Sequence, residues 1–451
     1  MFKWLERRIE KMTPQRGILI YYLVALFTAS ALLALPLFYD GEKVIGAVDT
    51  IFVAASALSV TGLTPVNIAE TFNVGGYIVL MFIMNLGGLG IMAMGTLIWV
   101  LLGKRIGLRE RMQIMADNSQ HKISGSVKMV IGIFKLIFII ELIGAGLYTL
   151  FFMYQTGDWG YSIINGAFLS VSATTNGGLD IFGNSMLDYT ETYILQVPVM
   201  VQIILGAIGY PVLLEVKHYF QKNGKRFRFS LYTKVTTATY GLLFLGGAFF
   251  VFVMESRHYF KGDSWFMTMM NSVFASVTSR SGGLTTVDPG HFHDGTQVIM
   301  SALMFIGASP SSAGGGIRTT TFAVLLLFLI AFSRGRQVIR VFNREITRED
   351  LYRAYAVISF AVLLVFVGVI SIVLFENSRF DLIDVVFEVT SAFGTSGLST
   401  GITDELSAPS KVILMMFMFI GRIGFISFLF SIGGRQHQLN HNYPKERILI
   451  G

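Results

Sequence analysis

The residues best suited to bind an ion lie in four short stretches of small side chains. Residues 59–63 read SVTGL, 173–179 ATTNGGL, 278–284 TSRSGGL and 393–398 FGTSGL. Each ends in Gly-Leu, with the glycines at Gly62, Gly178, Gly283 and Gly397. Extended upstream they become DTIFVAASALSVTGL, NGAFLSVSATTNGGL, NSVFASVTSRSGGL and DVVFEVTSAFGTSGL, four copies of one unit, the third shorter by one residue. Every copy opens on Asp or Asn, residues that favour a helix N-cap. Each has a phenylalanine three positions on, at Phe52, Phe168, Phe274 and Phe387. The glycines are 116, 105 and 114 residues apart, so the period is nearly constant. A single glycine of this kind is as readily a tight turn or a helix-packing contact. A multi-position match in four places is an internal repeat.

Glycine reaches backbone angles that strain other residues and presents no side chain. Its neighbours' carbonyl oxygens can then replace an ion's hydration shell. The candidate ligands are therefore backbone groups at Gly62, Gly178, Gly283 and Gly397, and at the preceding Thr61, Gly177, Gly282 and Ser396. About ten residues separate cap from glycine, too few to cross a bilayer but enough for a re-entrant half-helix. Such a half-helix ends with its negative dipole end towards the centre, which favours a cation. Asp49 and Asp384 fall at the opposite, positive ends.

Other groups stand at membrane depth. Pro310 and Gly314, Gly315 and Gly316 interrupt the apolar segment 291–332, which is too long for one straight helix. The interruption reads as a gate below the filter, built from Ser309, Ser311, Ser312, Ala313, Gly314, Gly315 and Gly316, or as a simple kink. Arg318 follows it, as an anchor to a carbonyl or carboxylate or as an interfacial charge. Arg422, in FIGRIGF, is a charge inside the last apolar span, where charges usually face a bundle interior or a wet cavity. It is read as an electrostatic barrier beside the path, or as a salt-bridge partner of Glu388 or Glu141. Those two acids are candidates for proton or sodium coupling, or for plain structural hydrogen bonding. Arg280 is read as bonding carbonyls or Asp288, or as repelling cations at the mouth. The second span of each unit also carries glycines at similar depth, in NLGGLG, LGAIG, FIGASP and FIGRIG, suited to close packing or bending.

An enzyme reading has little to stand on. Ser309 and Ser311 are the tempting nucleophiles, and no intramembrane histidine accompanies them. Four of the seven histidines lie in an outer loop, HFH, or in the tail, HQLNH, as solvated loop residues do. The chain has no cysteine, which excludes disulfides and thiolate metal sites.

The elements that must position these groups follow from composition. Of 451 residues 53% are hydrophobic and 14% charged, and apolar runs of about 20 residues, enough to cross a bilayer, recur at 17–37, 75–102, 127–153, 231–254 and 355–374. Residues 1–16 stay polar and basic for too long to be a cleavable signal peptide. The net charge of +7 does not call for a nucleic acid, because 27 of the 35 Lys and Arg sit in residues 1–16, 104–135, 217–234 and 334–353 and in the tail. This is the positive-inside pattern, with both termini and three basic loops cytoplasmic. Each unit thus reads as span, half-helix, turn, span. The expectation is an all-α polytopic membrane protein of eight transmembrane helices and four re-entrant loops, four parallel pseudo-symmetric repeats (1–102, 103–225, 226–345 and 346–451) around one central pore.

These motifs resemble the Trk/Ktr/HKT superfamily of potassium transporters, most closely the bacterial KtrB/KtrD-type membrane subunits, over nearly the whole chain. The resemblance implies channel-like potassium uptake in the plasma membrane, with K+ held at the four filter glycines, a gate loop under the filter and an arginine matching Arg422. In related plant proteins a serine in the first filter goes with sodium preference, so four glycines favour potassium. It also implies a homodimer, to which the tail HNYPKERILIG contributes, and a cytosolic nucleotide-binding ring of the RCK type. The chain has no Rossmann or Walker motif, so that ring is a separate polypeptide and no cofactor is expected here. A sodium- or proton-coupled symporter, or a less selective cation pathway, is the rival on the same scaffold, with Na+ as coupling or activating ion.

Overall fold

The computed structural model describes residues 14–41, 45–90, 93–95, 97, 112, 126–221, 227–336 and 338–424. The tail motif and most of both the first basic loop and the N-terminal basic stretch lie outside them. Taken by the expected repeat boundaries, the first repeat contributes α1 (Pro14–Leu33), α2 (Ala47–Ser59) and α3 (Val74–Leu89). The second contributes α4 (Ser126–Thr156), α5 (Trp159–Thr175), α6 (Tyr193–Ala207) and α7 (Tyr210–Gln221), and the third α8 (Leu231–Glu255), α9 (Trp265–Thr278), α10 (Asp294–Phe305) and α11 (Thr319–Ser333). The fourth contributes α12 (Arg348–Phe375), α13 (Leu382–Gly394) and α14 (Ala408–Ile423). A small hairpin, β1 (Arg340–Val341) with β2 (Arg344–Glu345), sits in the third basic loop. Its turn residues Phe342 and Asn343 both have positive φ, as a two-residue hairpin turn requires.

Among the described residues, four helices are long and apolar enough to cross a bilayer: α1, α4, α8 and α12, the first helix of each repeat. The bent pair α6–α7 would make a fifth. The long helices turn large apolar side chains outward: Leu142, Leu245, Leu363 and Phe366 are all more than half exposed, as lipid-facing positions are. The second helices differ from a straight span. α3 stops at Gly90 (φ 90°), α6 turns at Gly209 (φ 101°) into α7 through 104°, α10 gives way to a non-helical stretch at 306–318, and α14 stops at Gly424 (φ 86°). The glycines at similar depth therefore do both things open to them. The earlier one packs: a Cβ on Gly87, Gly206 or Gly421 would collide with the carbonyl oxygen of Leu58, Thr174 or Phe393, each four residues before a filter glycine. The later one breaks the helix.

The half-helices are longer than their expected ten residues and begin upstream of the Asp or Asn of the repeat. The N-caps are Gly46, Asp158, Ser264 and Asp381. Asp158 and Ser264 accept backbone N–H bonds there. Asp49 and Asp384 lie in the first turn, where a carboxylate still meets the positive dipole end. Asn165 and Asn271 lie inside their helices and are buried. The capping expectation was displaced because sequence upstream of each repeat is also helix-compatible.

Each half-helix packs against the first span of its own repeat and against the second span of the preceding one: α5 on α3, α9 on α6, α13 on α10 and, closing the circle, α2 on α14; α2, α5 and α13 also pack on the second span of their own repeat. The repeated phenylalanine and the leucine after each filter glycine are the pegs of these joints. Phe168 and Leu179 lie in the apolar core of the first repeat, Phe274 and Leu284 in that of the second, Phe387 and Leu398 in that of the third, and Phe52 and Leu63 in that of the fourth. All eight are at most 1% exposed. The closing joint also has an ion pair, Lys411 Nζ to Asp49 Oδ1 at 2.8 Å, with Lys411 Nζ 3.2 Å from the Asp404 carbonyl.

Phe52→Ala should cost about 3–5 kcal/mol, as truncation of a buried aromatic does, and Lys411→Met about 1.5–3 kcal/mol for a lost charge-assisted bond. Both are read as lowered thermal midpoints of the purified protein in detergent. An unchanged midpoint for Phe52→Ala would mean that the circle closes without this peg.

Candidate ion filter and gate

The four half-helices leave their last turn in the same way. Two residues before each filter glycine a non-glycine residue takes the left-handed conformation: Val60, Asn176, Ser281 and Thr395, with φ between 47° and 68°. The glycine then follows with positive φ: 102° at Gly62, 66° at Gly178, 74° at Gly283 and 85° at Gly397. Left-handed geometry is costly for a β-branched residue such as Val60, and such strain persists only where the surroundings over-determine it.

The four glycines meet. A Cβ on Gly62 would lie 2.9 Å from Gly178 Cα, one on Gly178 2.7 Å from Gly283 Cα, and one on Gly397 2.9 Å from Gly62 Cα and 3.0 Å from Gly283 Cα. Carbonyl oxygens stand at the same crossing. Gly177 O is 3.0 Å from the Gly62 Cβ position, Thr61 O 3.2 Å from that of Gly178, and Ser396 O 3.0 Å from that of Gly283. Gly282 lies against the Thr278 backbone of its own turn. All four filter glycines line one open bowl of about 460 Å³, whose wall also carries Asp180, Asp288 and Asp404.

A signal missed in the sequence holds these turns in shape. The eighth residue of every copy is a hydroxyl: Ser56, Ser172, Thr278 and Ser391. Ser56 Oγ accepts from Gly62 N at 3.0 Å, Ser172 Oγ donates to Leu179 O at 2.6 Å and Thr278 Oγ1 to Leu284 O at 2.5 Å. Neighbouring turns are also tied: Ser281 Oγ donates to Gly394 O and Ser396 Oγ to Ser279 O. Glu388 is buried, and its carboxylate accepts from the hydroxyls of Ser399 and Thr403. It thereby holds the strand leaving the fourth glycine.

The stretch 306–318 passes directly beneath. Gly315 N donates to Thr395 Oγ1 at 2.7 Å, and a Cβ on Gly314 would lie 2.6 Å from Ser281 Cβ. Ser309, Ser311, Ser312, Ala313, Gly314, Gly315 and Gly316 are all buried. Their backbone is bonded on several sides: Ser309 N to Ala207 O, Ala313 N to Gly206 O, Ala308 N to Gly315 O and Gly316 N to Gly421 O, at 3.0–3.2 Å. Ser309 Oγ accepts from Thr319 Oγ1, and Ser309 O from Ser312 Oγ. Arg318 donates to Gly314 O at 2.5 Å and Ser309 O at 3.3 Å, which makes it a carbonyl anchor. Arg422 reaches in from the fourth repeat, donating to Ala313 O, Gly314 O, Gly87 O and Gly88 O. The guanidinium thus couples the stretch to the free carbonyl end of α3, where a cation is favoured. A small cavity of about 30 Å³ lies beside it, lined in part by Tyr22, Ser311, Arg318 and Arg422.

Arg280 is not at the mouth. It is fully buried and donates to Tyr240 O and Gly307 O, both at 3.0 Å, with its guanidinium over the Tyr240 ring. Asp288 instead caps Gly290 and bonds His291. Glu141 lies on α4, where its backbone carbonyl accepts from Ser170 Oγ.

Long apolar helices around four converging glycine turns define a helical membrane protein. The sequence profile of the family described as TrkH, cation transport protein, matches residues 14–435, and the chain belongs to that family. It is 45% identical over 98% of both chains to Ktr system potassium uptake protein D of Bacillus subtilis. It is 34% identical to Ktr system potassium uptake protein B of the same organism, over 100% of this chain and 98% of that one. It is 30% identical over 99% of both to potassium/sodium uptake protein NtpJ of Enterococcus hirae. The fold matches the crystal structure of the potassium transporter TrkH from Vibrio parahaemolyticus with a TM-score of 0.73, at 18% identity, covering 94% of this chain and 86% of that one.

Replacing Glu388 tests its holding role. Glu388→Leu strands the Ser399 and Thr403 hydroxyls, at about 1–3 kcal/mol for each unsatisfied group, and alkali-cation flux in proteoliposomes should fall several-fold. Glu388→Gln keeps an acceptor and most of the flux. Equal loss in both variants would give the charge itself a direct role.

Proposed function

We propose that this chain is the pore subunit of a potassium uptake system, carrying K+ downhill through one path per chain. The observation that carries the reading is the meeting of four positive-φ glycines with the carbonyls of Thr61, Gly177 and Ser396 at the base of one acid-walled bowl. Carbonyl oxygens from all four turns, Gly282 included, take the place of water around the ion. The negative C-terminal ends of α2, α5, α9 and α13 add to its attraction. The names of the relatives at 45% and 34% identity support potassium as the ion. Parallel repeats with boundaries near 102, 225 and 345 and eight spans, the second of each pair broken, fit the closed circle of joints.

The stretch 306–318 is the gate, and Arg422 is its fixed charge. A separate cytosolic ring of the RCK type controls it through the basic loops, in a homodimer in the plasma membrane with both termini cytoplasmic. A second reading, sodium-coupled uptake, draws on the relative named a potassium/sodium uptake protein. It would make uptake depend on Na+ and be sensitive at Glu141 or Glu388.

Two measurements test the filter and the gate in cells lacking their own potassium uptake. Gly62→Ser, at a position with φ 102° and no room for a Cβ, should lower potassium–sodium discrimination about tenfold or more, equivalent to about 1.4 kcal/mol between the two ions; unchanged discrimination counts against the filter. Deletion of residues 312–316 should raise flux, and lower flux in well-folded protein would contradict a gate.

A further inference from the structure

The broken span of the second repeat is bound to the gate stretch more closely than its sequence suggests. Where α6 ends, its last carbonyls are left without helical donors, and the gate stretch supplies them: Ser309 N bonds Ala207 O, and Ala313 N bonds Gly206 O. Across the bend the traffic reverses, and Tyr210 N donates to Ser311 O at 2.8 Å. The bend itself rests on the stretch. A Cβ on Gly209 would lie 2.9 Å from Pro310 O and 2.8 Å from the Tyr232 hydroxyl, which itself donates to Pro310 O at 2.6 Å. Tyr210 is 2% exposed and packs with Ala313 and Leu89. Its hydroxyl donates to Gly88 O at 3.0 Å, the same carbonyl that accepts from Arg422.

We propose that Tyr210 is a positioning residue of the gate, a latch that holds the 306–318 stretch shut by joining it to α3 of the first repeat, and that turning α7 about Gly209 releases it. This rests on the reading of 306–318 as the gate. α7 is suited to act as one body with the start of α8, because Glu215 accepts from Ser230 N and Thr233 Oγ1 there. α7 leads into the second basic loop, so displacement of that loop from the cytosolic side would reach Ser311 through one rigid helix and a glycine hinge.

The test uses the full chain in proteoliposomes, with rubidium tracer flux and potassium–sodium discrimination as the two readouts. Tyr210→Phe removes one hydroxyl and keeps the ring and the backbone bond to Ser311. Flux should rise about fivefold, the population shift that one neutral hydrogen bond allows, with discrimination unchanged. In the background lacking 312–316 the same substitution should add nothing, because the latched segment is gone. Unchanged flux for Tyr210→Phe where the deletion does raise flux overturns the latch and leaves the gate standing. An equal rise in both backgrounds also overturns it, since the hydroxyl would then act elsewhere. Failure of the deletion to raise flux overturns the gate reading and the latch with it. Should Tyr210→Phe not assemble, Gly209→Ala disturbs the same hinge, and a flux no higher than wild type in that variant rejects the proposal.

Discussion

Peptide groups cannot be left unpaired at membrane depth, and this chain breaks its helices at four glycine turns, at the 306–318 stretch and at Gly90, Gly209 and Gly424. Each unpaired N–H or C=O in hydrocarbon costs several kcal/mol, roughly, with no water to share the cost. The structure meets that constraint internally. Hydroxyls at the eighth position of the repeat bond three of the four turns, and the 306–318 stretch takes up the carbonyl ends of α6 and the region around Gly421. What looks like irregular chain is a second hydrogen-bonded layer, made from groups that the broken helices release.

The same layer depends on a circle of apolar joints. Because the phenylalanine and leucine of each repeat are buried in the repeat before it, no repeat completes its own core. The glycines are held together by pegs on either side of them: Phe52 and Leu63 flank Gly62 by ten residues and one. The left-handed residues pay for this geometry, and the joints keep it in place. A change in any joint would be felt at the crossing of the glycines, and through Thr395 and Ser281 at the 306–318 stretch just below.

Much of the site was legible because it is periodic. Gly62, Gly178, Gly283 and Gly397 stood out by fourfold coincidence, as did the phenylalanines, and the breaks at 306–318 and beside Arg422 showed as small or charged residues in apolar runs. The helix starts were not legible, since Asp49 and Asn165 cap as well on paper as Gly46 and Asp158 do in space. For Arg280 the carbonyl reading holds, through Tyr240 O and Gly307 O, and the Asp288 and mouth readings fall, because sequence gives nearness to a glycine but not which side of the turn a long side chain takes. The partners of Arg422 were open for the same reason. A salt bridge and a set of carbonyls look alike until the free end of α3 is seen beside it. The hydroxyls at Ser56, Ser172, Thr278 and Ser391 were readable and overlooked, hidden among many other Ser and Thr in the same stretches.

The meeting point below the four glycine turns explains why the residues there are glycines. Gly87 fits only because it has no Cβ to strike Leu58, at the end of the first half-helix, and Gly88 would press to 2.8 Å on Thr175, at the end of the second. Their carbonyls turn the other way, to Tyr210 of the second repeat and Arg422 of the fourth, which also holds Ala313 of the third. All four repeats therefore touch within a few residues of one helix end. A larger residue at Gly87 or Gly88 would have to push apart the half-helix ends at Leu58 and Thr175 or the contacts with Arg422 and Tyr210 beside it. The glycine turns and the 306–318 stretch are built against opposite faces of the same two peptide units, and a displacement of one has a direct mechanical route to the other.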